Sequence, residues 1–209
     1  MKGWIGAIGP WVVAIVAIWG DKVRSWAFRP KLKIGLLDPR GEHAKQRISQ
    51  IVEGKLQESE IETRWYHIRL TNESTARYPA AKETQVVLSR VEKPGPAGGP
   101  PQAIYEGALP LRWQHQETDP ALRRTVGPEA VADLFFVNAK GFLYLTPIII
   151  PYNFPGEHRG QTKLWVTLQA RSVEVDSNAL RVEIAWDGQW DRGEEEMAKH
   201  LQVTVPPLV

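Results

Sequence analysis

Thr63-Arg64-Trp65-Tyr66-His67-Ile68-Arg69-Leu70 decides how the rest of the chain is read. Tyr66, Ile68 and Leu70 alternate with His67 and Arg69, which is the two-residue period of a strand with one buried face. Asn72-Glu73-Ser74-Thr75 marks its exit. On either side the pattern repeats in short apolar runs: Leu32 to Leu37, closed by Asp38-Pro39-Arg40-Gly41, then Glu83 to Val91, Leu109 to Trp113, Ala130 to Val137, Phe142 to Ile150, Lys163 to Ala170, Ala179 to Trp186 and Leu201 to Val205. Sixteen prolines and seventeen glycines punctuate these runs, and no segment after Phe28 sustains a long apolar helical period. The expected working domain, residues 30–209, is therefore a mainly β, antiparallel two-sheet sandwich of immunoglobulin-like type.

Three stretches break the strand rhythm. Glu42 to Gly54 carries Ile48 and Ile51 among charged residues and reads as a short helix or a mobile excursion. Lys93-Pro94-Gly95-Pro96-Ala97-Gly98-Gly99-Pro100-Pro101-Gln102 cannot join a central strand and is expected as an exposed loop between two strands. Asp191-Arg192-Gly193-Glu194 resembles a capping box. With Glu194, Glu195 and Glu196 in a first turn and Lys199 and His200 in a last, it predicts a helix of about two turns near the C-terminus.

At the other end, Trp4 to Trp19 carries no charge, and Lys22, Arg24, Arg29, Lys31 and Lys33 follow closely. The apolar run covers only about 24 Å at about 1.5 Å per residue, short of the roughly 30 Å hydrocarbon core. Trp19, Val23 and Trp26 extend one stripe toward Arg29-Pro30, so a helix from Gly3 to Phe28 would span about 39 Å. Small residues are missing from the positions a signal-peptide cleavage needs, so residues 1–29 read as a retained transmembrane and juxtamembrane helix. Trp4, Ile8, Trp11, Ile15 and Trp19 are its anchoring residues, and Lys22, Arg24, Trp26, Arg29, Lys31 and Lys33 its interface with membrane lipid. The charge excess after the segment predicts a single-pass inner-membrane protein whose C-terminal domain stays in the cytoplasm. Gly3, Ala7, Ala14 and Ala17 form a small-residue face suited to a second helix, hence a protein partner or homo-oligomer.

The chain offers little chemistry. Twenty-six basic and twenty-four acidic residues nearly cancel, which gives no reason to expect nucleic acid. The five histidines lack metal-ligand spacing, no cofactor motif occurs, and cysteine is absent, so neither a metal nor a cofactor is expected and thiol catalysis is excluded. His67, on the polar strand face, and His115 read as surface or edge histidines. A hydrolase using either with a nearby acid is the least favoured function. Trp186 and Trp190, flanking Asp187-Gly188, are read as core residues around a tight turn, with ligand stacking as the alternative.

The order of Trp19-Gly20-Asp21-Lys22-Val23-Arg24-Ser25, Tyr66-His67-Ile68-Arg69-Leu70-Thr71-Asn72, Leu109-Pro110-Leu111-Arg112-Trp113, Ala185-Trp186-Asp187-Gly188-Gln189-Trp190 and Glu196-Met197 resembles uncharacterised bacterial single-pass membrane-anchored proteins with an immunoglobulin-like β-sandwich domain. That resemblance covers most of the chain and implies no activity and no site residues. The expected function is a non-enzymatic interaction or scaffolding module at the cytoplasmic face. An extracytoplasmic domain binding carbohydrate or another ligand is the alternative.

Overall fold

A computed structural model describes residues 29–52, 55–73, 80–115 and 123–206. The expected anchor residues from Gly3 to Trp26 lie outside them. No helix among the described residues is long and apolar enough to cross a membrane.

The described residues are mainly β, with two six-stranded antiparallel sheets sharing one apolar core, an arrangement consistent with a β-sandwich. Strands are dealt to the sheets in blocks of three. β1 (Leu32–Leu36), β2 (Glu42–Val52) and β3 (Lys55–Asn72) belong to the first sheet; β4 (Ala81–Lys93), β5 (Gln102–Pro110) and β6 (Arg124–Val126) to the second. β7 (Glu129–Asn138), β8 (Phe142–Leu145) and β9 (Glu157–Arg159) return to the first, and β10 (Thr162–Arg171), β11 (Leu180–Trp186) and β12 (Leu201–Thr204) complete the second. The proline-rich segment is the β4–β5 loop, as expected, and holds a short 3-10 turn at Pro96–Gly98.

The quoted strand behaves as its alternation requires. Tyr66, Ile68 and Leu70 are buried in the shared core, and burying each of the two aliphatic chains, Ile68 and Leu70, contributes about 1.5–3 kcal/mol. β3 is nevertheless far longer than the alternation indicated. Its C-terminal half pairs with β1, from Leu36↔Ile68 to Leu32↔Asn72, and with β7, from Thr63↔Asn138 to Thr71↔Glu129. Among the described residues the only strand paired with its N-terminal half is β2, in an unbroken register from Glu42↔Trp65 to Val52↔Lys55.

Residues 42–52 are thus a strand, correcting the expectation of a helix or loose excursion. Charged residues on both flanks hide the period, and the partner strand supplies the order that core burial supplies elsewhere. From Thr63 to Lys55 this hairpin runs about 26 Å past the sheet, at about 3.3 Å per residue. It forms a two-stranded arm.

Three other expectations need adjusting. β8 stops at Leu145, because Thr146 turns to donate to Leu134 O and Ile148 to Pro110 O, leaving Ile149 and Ile150 exposed outside any strand. Leu111 and Trp113 leave β5 and make single bridges to Pro147 and Ala132. The short helix, α1 (Glu194–His200), is present where expected, but its N-cap is Gly193 without a side-chain cap. Asp191 Oδ1 instead accepts from Gly193 N at 2.6 Å, one residue too early for a capping box.

Candidate functional site

The basic residues of the expected membrane interface that fall within the structure, Arg29, Lys31 and Lys33, are all exposed where the chain enters the domain. Arg29 and Lys31 run straight into β1. Pro30 is buried, Lys31 N donates to Asn72 Oδ1, and β1 begins at Leu32. Lys33 Nζ pairs with Glu73 Oε1 at 3.1 Å. These groups sit at the end of the sandwich where β3 finishes, and the arm leaves from the opposite end.

The arm's base is gathered around the turn Asp38–Gly41. Gly41 has φ of 68°, and a Cβ there would come within 2.8 Å of Trp65 O and 2.7 Å of the Tyr66 ring, so glycine is required on both counts. Beneath this turn lies Arg64, only 2 % exposed, on the core-facing side of β3. Its guanidinium donates to Arg40 O at 3.2 Å, Gly41 O at 3.3 Å and Arg192 O at 2.9 Å. Three carbonyls from two distant segments thereby solvate a buried cation. Arg40 Nη1 reaches Glu194 at 3.0 Å, Arg192 Nε reaches Glu62 at 3.8 Å, and the His43 and Trp190 rings lie 6.4 Å apart. The guanidinium of Arg40 is held above its ordinary range by the hydrogen bond and charge of Glu194. The arm therefore leaves a clamped base.

On the outer side of the same turn is a cleft of about 440 Å³ lined by Leu37, Asp38, Gly41, Glu42, His67 and Arg69. His67 is not the surface histidine expected from strand alternation; it is 6 % exposed. A bulge explains this. The β3–β7 register pairs Tyr66 with Phe135 but His67 with Asp133, so Leu134 is an extra residue that swings Asp133 opposite the imidazole. His67 Nδ1 lies 3.0 Å from Asp133 Oδ1, and because a carboxylate only accepts, Nδ1 carries the proton. Nε2 lies 3.6 Å from Glu42 Oε2, too far for a hydrogen bond, and is buried without a hydrogen-bond partner.

A carboxylate-oriented imidazole is half of an acid–base machine, but no hydroxyl hydrogen-bonds Nε2 among the described residues. His115, the other candidate base, is exposed and holds a positive φ of 61° far along the chain. Among the described residues no group of three metal-ligating side chains is arranged to hold an ion. The His67–Asp133 contact ties the two central strands of the first sheet together. No sequence signal pointed to it, because the bulge that creates it leaves no motif.

The tryptophans considered for ligand stacking are brought near one another but not onto an open surface. Trp186 is 2 % exposed, and its Nε1 donates to Gln189 O at 2.8 Å. No ring face is left for a sugar. Trp190 is half-buried against the core beside His43. Between them Asp187 accepts from Gln189 N and faces His200 Nδ1 at 2.8 Å; burial works against its ionised form, yet these hydrogen bonds hold its carboxyl below the usual range. The sequence did not foresee a row on the outer face of the first sheet, Trp65, Phe136 and Tyr144, with ring centroids 4.6 and 5.0 Å apart. These rings stack on each other along the sheet, so their faces are already occupied.

No family model, no curated protein and no solved structure matches this chain.

Proposed function

We propose that the protein is a non-enzymatic interaction or scaffolding module, held at the cytoplasmic face of the inner membrane by a single-pass helix within residues 1–29, with an immunoglobulin-like sandwich as its working domain. The observation that carries this reading is the placement of two features at opposite ends of β3. The basic residues Arg29, Lys31 and Lys33 lead directly into β1 beside Asn72, whereas the arm begins past Thr63 and reaches Lys55, about 56 Å from Asn72 along the strand. A helix ending just before Arg29 would hold the domain against the lipid surface and carry the arm away from it. The clamp around Arg64 gives the arm a defined direction, which a binding element needs more than a buried core does. Carbohydrate binding at Trp186 and Trp190 draws less support, since Trp186 has no open ring face.

A reporter fused after Val209 in a bacterial host tests the orientation. Activity confined to the cytoplasmic reporter is expected; activity only outside the cytoplasm overturns the orientation. Carbonate washing of the same membranes tests the anchor, and release of the full chain into the wash would overturn it.

A further inference from the structure

The arm leaves an edge and a face without a partner. β2 pairs with nothing but β3 among the described residues, and β3 loses β7 beyond Thr63. A two-stranded ribbon with bare edges is marginal in water and invites pairing. Which surface pairs is decided by charge. The register sets Lys45 opposite Glu62 and Arg47 opposite Glu60, and directly opposed residues share a face. That face therefore carries a basic column on β2 and an acidic column on β3. Lys45, Arg47, Glu58 and Glu60 are exposed, and the internal pairs are loose: Lys45 and Arg47 approach Glu60 at 3.6 and 4.0 Å. A hollow of about 320 Å³ lined by Arg47, Glu58, Ser59 and Glu60 opens beside them.

We propose that this charged face is the interface with a second copy of the chain, the two arms packing face to face about a two-fold axis parallel to the strands. Symmetry excludes the alternatives. Edge-to-edge contact about a two-fold sets a strand against its own copy, so β2 would meet β2 or β3 meet β3, placing like charges together. Face-to-face packing about an axis across the arms likewise stacks β2 on β2. Only the axis along the arms lays the basic column of one copy over the acidic column of the other, with Arg47 of each copy entering the hollow beside Glu58 and Glu60 of its mate. This axis is also the one that two copies anchored in one membrane must share. The inference deepens the anchored-module reading and rests on it for that agreement alone.

The test uses full-length protein in detergent micelles, with Arg47→Glu and Glu60→Arg variants. Each variant alone is expected to weaken dimerisation at least tenfold, and an equimolar mixture to restore it as a heterodimer, which also establishes that both variants fold. Because the chain has no cysteine, single-cysteine variants report the geometry directly. Arg47→Cys mixed with Glu60→Cys is expected to form an intermolecular disulfide, and Arg47→Cys alone is not. Dominant Arg47→Cys self-crosslinking would overturn the parallel face-to-face arrangement. An anchored chain that stays monomeric overturns the interface and leaves the anchor standing; a chain extracted by carbonate that still crosslinks between positions 47 and 60 removes the anchor and leaves the interface standing.

Discussion

Leu70 and Glu60 lie ten residues apart on one strand, yet they are held in place by different physics. Around Leu70, β3 has a strand on each side and a second sheet beneath it, and Ile68 and Leu70 are fully buried. Around Glu60 it has β2 alone, and the side chains that face one another are exposed ions. Ion pairs of this kind are each worth at most about 1 kcal/mol. Regular backbone geometry is thus no measure of local stability: the body half of β3 is fixed by burial, the arm half by register and by its clamped base.

The largest way to break the body half is to hollow it. Ile68→Ala should cost about 2–5 kcal/mol, because the site is closed on both sides and collapses poorly. Chemical denaturation would read this as a lowered midpoint of the main transition. A loss below about 1 kcal/mol would mean that the two sheets are not tightly packed there.

A smaller effect, aimed at the junction, should come from Arg64→Met. It removes the bonds to Arg40, Gly41 and Arg192 while keeping an apolar stem, leaving carbonyls unpaired at about 1–3 kcal/mol. Hydrogen exchange sharpens the comparison: amides of residues 58–62 should lose protection by a larger factor than those of 66–70. Equal loss in both halves would show that Arg64 supports the body rather than the arm.

The mildest test is acid. His158 on β9 is held below the ordinary histidine range, first by burial of its ring, against the opposing pull of the Pro155 backbone and Glu157. A depressed folded-state value means that the unfolded chain binds the proton more readily, so stability is complete above the unfolded value near 6.5 and declines as pH falls below it. The body should therefore weaken between about pH 6.5 and the lower folded value, and His158→Gln should flatten that slope. An unchanged slope would assign the loss to other groups.

How much of this was legible beforehand depended on whether burial wrote a pattern. Tyr66, Ile68 and Leu70 announced their strand because one face meets a core. Trp186 was readable as core, since a large aromatic beside a tight turn usually is. Residues 42–52 announced nothing, because a strand stabilised by its neighbour alone has no face that must be apolar. His67 misled for another reason: alternation put it correctly on the outer face, but burial there came from Asp133 across a bulge and from the turn at Gly41. Both are contacts between distant segments, which local spacing does not encode.

The dealing of strands in blocks of three has a consequence for the chain as it is made. β3 emerges from the ribosome long before β7, and Leu70 must wait about sixty residues of synthesis for Ala130. During that interval β3 has β1 and β2 beside it but not β7, and of these pairings the β2–β3 hairpin has the most local contacts. The nascent chain should therefore assemble its outermost feature first and its centre last, with an exposed strand edge in between.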